Sequence, residues 1–163
     1  TALHIPAIAY YSEVDITLND FGDFTNKIPH LTSIAPAGPH HDIDLFFAGG
    51  IPAVMAELRK HDLIFEEPMT VTGLAMGEML SDIDAGKPDD TVIRSVENPV
   101  HPTGGLAILS GNLAPGGAIV KQAAVADEML VHKGPARVFD TEENAYQAII
   151  DRKFEKGDVI VIR

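Results

Sequence analysis

Residues 104–121, GGLAILSGNLAPGGAIVK, read as strand, glycine-bearing loop, strand, and they set the character of the second half of the chain. Leu106–Ser110 and Ala118–Gln122 are the strand candidates, and Gly111-Asn112-Leu113-Ala114-Pro115-Gly116-Gly117 between them concentrates turn formers. Towards the C-terminus, Ala136–Val138 and Val159–Ile162 are two further strand candidates. A helix is expected between them. Asp140 or Thr141 caps it, Thr141-Glu142-Glu143-Asn144 gives a polar first turn, Ala145, Ala148, Ile149 and Phe154 follow at helical spacing, and Gly157 ends it. Strand, helix, strand predicts a right-handed β–α–β crossover with parallel pairing. The apolar runs 107–109 and 159–162 fit strands covered on both faces.

Towards the N-terminus the character changes. Gly86, Pro88, Pro99 and Pro102 punctuate residues 84–103, which read as a linker interrupted by a short strand candidate, Thr91–Arg94. Residues 1–83 read as mostly helical. Leu3, Ala7, Ile8, Tyr11 and Val14 recur at helical spacing, with a kink or early break expected at Pro6. Asn19 or Asp20 is placed to cap a helix that Pro29 terminates. Gly49-Gly50 leads into the clearest helix, with Ile51, Val54, Met55 and Leu58 on one stripe and Arg59, Lys60 and His61 crowding its last turn, where positive charge suits the helix dipole. Thr72 is placed to cap a third helix carrying Leu74, Met76, Met79 and Leu80.

Composition sets limits on function. With 12 basic against 24 acidic residues the net charge is −12, which repels a phosphate backbone and argues against a nucleic-acid partner. No apolar run approaches the ~18 residues needed to span a bilayer, so no membrane segment is expected and the cytoplasm is the expected compartment. Cysteine is absent, which excludes disulfides, thiolate nucleophiles, zinc–thiolate sites and any cysteine-held iron–sulfur cluster within these 163 residues. The chain opens in apolar sequence without an initiator methionine and stops inside a β-branched run, as expected for an internal piece of a longer protein.

Few residues carry a chemical signal. Asn112 offers donors and an acceptor, Lys121 offers a positive charge, and the adjacent glycines allow backbone amides to approach a ligand. The alternative is a tight strand connection with a solvent-facing lysine. His40, His41, Asp42 and Asp44 are metal-capable and close in sequence, and His40, His41 and Asp44 would be the ligands of a stand-alone metal hydrolase. Adjacent side chains diverge, however, and Asp42 or Asp44 serves better as a helix cap. His101 and His132 read as exposed loop residues, and Glu66, Glu67, Asp82, Asp84, Asp89 and Asp90 as solvated carboxylates. Nucleophile-elbow, phosphate-loop and dinucleotide fingerprints do not occur.

GGLAILSGNLAPGGAIVK resembles the start of the C-terminal domain of dihydroxy-acid dehydratases, in the dihydroxy-acid/6-phosphogluconate dehydratase family. HIPAIAYYSEVDITLNDF (4–21), AGGIPAVMAELRKHDLI (48–64), MTVTGLAMGEML (69–80), KQAAVADEMLVHKGPARVFDTEENAYQAI (121–149) and KGDVIVIR (156–163) resemble successive segments of the same family, in order. The resemblance implies an α/β fold: residues 1–83 as the C-terminal part of a cluster-binding α/β domain, 84–103 as a linker, and 104–163 as the first part of a β-barrel-like domain similar to the swivelling domain of aconitases. It implies a parent enzyme several times longer that removes water from a 2,3-dihydroxy carboxylate to give a 2-keto acid in branched-chain amino-acid synthesis. That parent is implied to be a homodimer holding an iron–sulfur cluster and Mg2+ through residues outside these 163. No catalytic residue and no metal ligand is therefore carried over to this chain, and the chain alone is expected to be inactive. Asn112 and Lys121 remain as substrate-binding candidates because their loop belongs to the domain that covers the substrate. A sugar-acid or 6-phosphogluconate dehydratase is the nearest alternative, although that branch shortens the loop after GNL. A non-catalytic assembly domain is an alternative of a different class.

Overall fold

Thr17 and Asp20 start the helix on which the 104–121 hairpin rests. In the computed structural model, which describes residues 1–81 and 89–163, the Thr17 amide and hydroxyl both donate to the Asp20 carboxylate, at 2.7 and 2.9 Å. The cap position is thus Thr17, with Asp20 reciprocating one turn in, rather than Asn19 or Asp20 itself. The chain divides into two compact units, Thr1–Ala124 and Val125–Arg163.

In the first unit, α1 spans His4–Tyr11, α2 Leu18–Lys27, α3 Asp42–Phe47, α4 Gly50–Arg59 and α5 Met76–Ser81. Pro6 does not break α1, because it falls in the first turn, where amide hydrogens have no partner to lose. Ile28 adopts the extended geometry that a following proline demands, and α2 stops there as expected. Thr72 does not cap α5. It hydrogen-bonds Thr70 in a preceding turn, and the Ala75 amide at the start of the helix donates to Glu78 instead.

Ala48, which follows α3, and Ala53 of α4 meet Val92 and Ile93 in a small core, with Leu45 and Val54 packed against it. Residues 91–94 are therefore a turn and not a strand. Asp89 accepts from the Thr91 amide and hydroxyl, and its carbonyl accepts from Val92 and Ile93. The turn spends its β-branched side chains on the core. Of the expected 84–103 linker, Gly86 and Pro88 lie outside the described residues, as do Asp82 and Asp84.

β1 (Ala107–Gly111) and β2 (Ala114–Val120) form an antiparallel hairpin joined by Asn112-Leu113, so most of the expected loop is strand. Register shifts between Leu109 and Gly111, and Gly117 takes φ 92° in β2. β1 packs on α2, where a Cβ on Gly117 would stand 3.0 Å from the Leu18 side chain. The Gly104 amide donates to the Thr25 carbonyl at 2.7 Å.

In the second unit, β3 (Ala136–Phe139) pairs in parallel with β4 (Val159–Ile162), and α6 (Glu142–Ile150) connects them through buried Ala145 and Ala148. Thr141 caps α6 by accepting from the Asn144 amide. The helix ends at Ile150 rather than Gly157, because Arg152 turns the chain in the left-handed region at φ 54°. The fold is mixed α/β with two separate two-stranded ladders, and the described residues close no barrel. Neither ladder is covered on both faces, for Leu109, Val138, Ile160 and Ile162 are exposed.

Two outcomes follow from these contacts. Gly117→Ala forces a side chain into both a left-handed backbone and Leu18, and should cost about 1–3 kcal/mol in a urea melt, whereas Gly116→Ala should cost under ~1 kcal/mol. Asp158 accepts from the Glu155 amide and the Arg137 guanidinium, and these in that order hold its carboxyl below the usual range. A lowered folded pKa favours folding above the unfolded value of ~3.9, and this contribution is lost as pH falls through the lower folded value. Asp158→Asn should therefore flatten the fall in urea midpoint between pH 7 and pH 3. An unchanged slope contradicts the pairing.

Candidate functional site

The hairpin separates the two residues singled out in its sequence. Asn112 sits exposed at the tip, beyond the Gly111–Ala114 pair, and Lys121 follows Val120 at the opposite end, where Val120 pairs with Ala107. At ~3.4 Å per residue they stand roughly 20 Å apart along the ribbon, too far to hold one small acid together.

A groove of about 580 Å3 lies where the hairpin meets α2. Asn19, Asp23 and Asn26 line it from α2, spaced to share one helix face, and Ser110, Gly116 and Gly117 line it from the hairpin. Amide, hydroxyl and carboxylate groups suit hydrogen bonding to hydroxyls. Lysine and arginine are missing from the lining and Asp23 is present, so a free carboxylate would be repelled there. The glycines serve the bulge and the close approach to Leu18. Sequence reasoning missed this polar stripe because Asn19 and Asp20 were read as a cap.

His40, His41 and Asp44 do not converge. The Asp44 carboxylate accepts from the His41 amide at 2.8 Å, closing the first turn of α3 with His41 at the cap position. His40 and Asp44 line a separate cavity with Asp89. His101 is exposed, with its ring within 3.1 Å of the Thr103 hydroxyl, and His132 reaches the Gly157 carbonyl. Glu66 is not simply solvated, since Arg59 grips it through two nitrogens at 2.7 and 2.8 Å. That hydrogen-bonded pair holds the Glu66 carboxyl below its ordinary range.

Sequence models of the dihydroxy-acid/6-phosphogluconate dehydratase N-terminal and C-terminal domains match residues 1–79 and 91–163 respectively. The chain belongs to this dehydratase family. It is 54% identical to a dihydroxy-acid dehydratase of Halothermothrix orenii over 99% of its own length. It is 53% identical to proteins of the same name from Acetivibrio thermocellus and Carboxydothermus hydrogenoformans, over its whole length. In each case the chain spans 29% of the relative. The hairpin, the groove-lining residues from Ser110 to Gly117 and the whole β3–α6–β4 unit fall within the match to the C-terminal domain, whereas α1 to α4 fall within the N-terminal one.

Among the described residues the Asn112 side chain makes no hydrogen bond, and it sits exposed on its turn. Asn112→Ala should leave the urea midpoint within the equivalent of ~0.5 kcal/mol, while Thr141→Ala, which removes the α6 cap, should cost about 1 kcal/mol. A large loss at Asn112 contradicts its reading as a free turn residue.

Proposed function

We propose that these residues are an interior portion of a longer dihydroxy-acid dehydratase, a hydro-lyase that converts 2,3-dihydroxy carboxylic acids to 2-keto acids in branched-chain amino-acid synthesis. The observation that carries this reading is the pair of end-to-end family matches, at 54% identity to a protein named for that reaction. The surface supports it independently. Tyr10, Tyr11, Phe46, Phe47 and Val131 are each at least 70% exposed, and among the described residues no large side chain is fully buried. Such apolar surface calls for a covering layer.

Cofactor chemistry is assigned outside the chain. The iron–sulfur cluster that the family implies needs thiolates, and with no cysteine these residues do not fit it. Neither activity nor cluster binding is therefore expected of the chain alone. The parent is proposed to be a cytoplasmic homodimer acting on a small dihydroxy acid, with Mg2+ held elsewhere. Among the described residues, no helix is long and apolar enough to cross a membrane. Residues 1–83 are assigned to the end of the cluster-binding domain, 84–103 to the connection, and 104–163 to the opening of a barrel-like swivelling domain. The boundary of the two family matches between 79 and 91 supports that division.

Within this frame Asn112, on its exposed turn, is the residue of this chain proposed to reach the substrate. Lys121 lies at the other end of the hairpin and is proposed to serve a separate contact. A sugar-acid specificity is disfavoured by the relatives, which carry the dihydroxy-acid name.

A chimera tests the assignment. Exchanging the matching segment of the Halothermothrix orenii enzyme for these residues should give a cluster-loaded protein that dehydrates a 2,3-dihydroxy carboxylate and leaves 6-phosphogluconate untouched. Asn112→Ala in that chimera should lower kcat/KM at least tenfold. A folded, loaded chimera that turns over only the phosphogluconate substrate contradicts the proposal, and so does dehydration by the isolated 163 residues supplied with iron, sulfide and magnesium.

A further inference from the structure

Glu57 and His61 stand one turn apart on the C-terminal end of α4 and its following turn, so both side chains emerge on one face. The turn at residues 95–98 brings Glu97 to the same place, and all three lie in the first unit. The His61 Nε2 atom lies 3.2 Å from Glu97 Oε1 and 3.8 Å from Glu57 Oε1. The three donor atoms fall within 4.8 Å of one another.

We propose that Glu57, His61 and Glu97 form a binding site for one divalent transition-metal ion, with zinc the best match. Ligand bonds of 2.0–2.2 Å in a tetrahedron place neighbouring donors about 3.4 Å apart, and the two nitrogen–oxygen separations bracket that figure. One imidazole with two carboxylates suits zinc, and the nitrogen donor disfavours magnesium or calcium, which take oxygen. Three protein ligands leave the fourth position to water or a small anion.

The surroundings fix one ligand before an ion arrives. Glu57 is 8% exposed, and its Oε1 accepts from the Val96 amide at 3.1 Å while Oε2 accepts from Lys60 at 2.7 Å. An oxygen that accepts one amide hydrogen keeps a second lone pair for a metal. Hydrogen bonds of this kind orient metal-ligating carboxylates. His61 is half-buried and Glu97 exposed, which leaves a path for the ion. Lys60 offsets one negative charge and limits affinity, and its 64% exposed side chain is free to swing out. The ion would join the end of α4 to the 95–98 turn and so reinforce the core built on Val92 and Ile93.

Equilibrium dialysis of the untagged 163-residue chain against ZnCl2 should show one zinc bound per chain. His61→Asn and Glu97→Gln should each weaken binding at least tenfold, and His132→Asn should leave it unchanged. Cobalt in place of zinc should give the strong visible absorption of a tetrahedral nitrogen–oxygen site, lost in both variants. Glu97→Gln alters an exposed side chain, so it keeps the test valid if His61→Asn unfolds. No stoichiometric uptake, or uptake indifferent to Glu97→Gln, overturns the proposal and leaves the three residues as an ion-pair cluster only.

Discussion

Glu57 holds the first unit together. It is a buried charged residue of that unit, and its carboxylate ties α4 to the Val96 amide. Burial alone would raise its pKa, but the Lys60 ammonium, the Val96 amide and His61 outweigh that and hold it below the ordinary glutamate value. A buried carboxylate is tolerable only with such partners. Around it the turn from Asp89 to Arg94 delivers Val92 and Ile93 against Ala48 and Ala53, and the Arg94 amide reaches back to the Leu31 carbonyl. Without the clamp, little apolar volume would keep that turn on α4, since the buried set is rich in alanine.

That thin core is the second constraint. Alanines at positions 145 and 148 let α6 sit close to the β3–β4 ladder, yet Val138, Ile160 and Ile162 stay exposed. A two-stranded ladder has too little surface to bury its own β-branched side chains. The same holds for the hairpin, whose Leu113 is 83% exposed.

Local signals were legible in the sequence and distant ones were not. Thr141 at the start of α6, Pro29 at the end of α2 and the parallel β3–β4 pair were readable because caps, prolines and strand–helix–strand order act within a few residues. Thr91–Arg94 misled because β-branched residues serve a buried turn as readily as a strand, and only the Asp89 side chain distinguishes the two. Arg59 and Lys60 do sit at the C-terminal end of α4, and Arg59, Lys60 and His61 each also find a carboxylate partner, in Glu66, Glu57 and Glu97. The Glu57–His61–Glu97 group escaped notice because Glu97 arrives through a fold-back to α4, with Val96 bonding Glu57 from 39 positions along the chain. Asn112 was recognisable as a turn residue, while its distance from Lys121 became evident only with the strand register.

We propose that the apolar faces left bare in these residues are covered by other parts of a longer dehydratase. Hydrogen exchange measured on the amides of His4–Tyr11 and Val159–Ile162 tests it most directly, comparing the isolated chain with the same residues inside an intact relative-based chimera. Both segments should exchange at least a hundredfold more slowly in the longer protein. Equal protection in the two contexts would mean that these faces need no cover, and would contradict it.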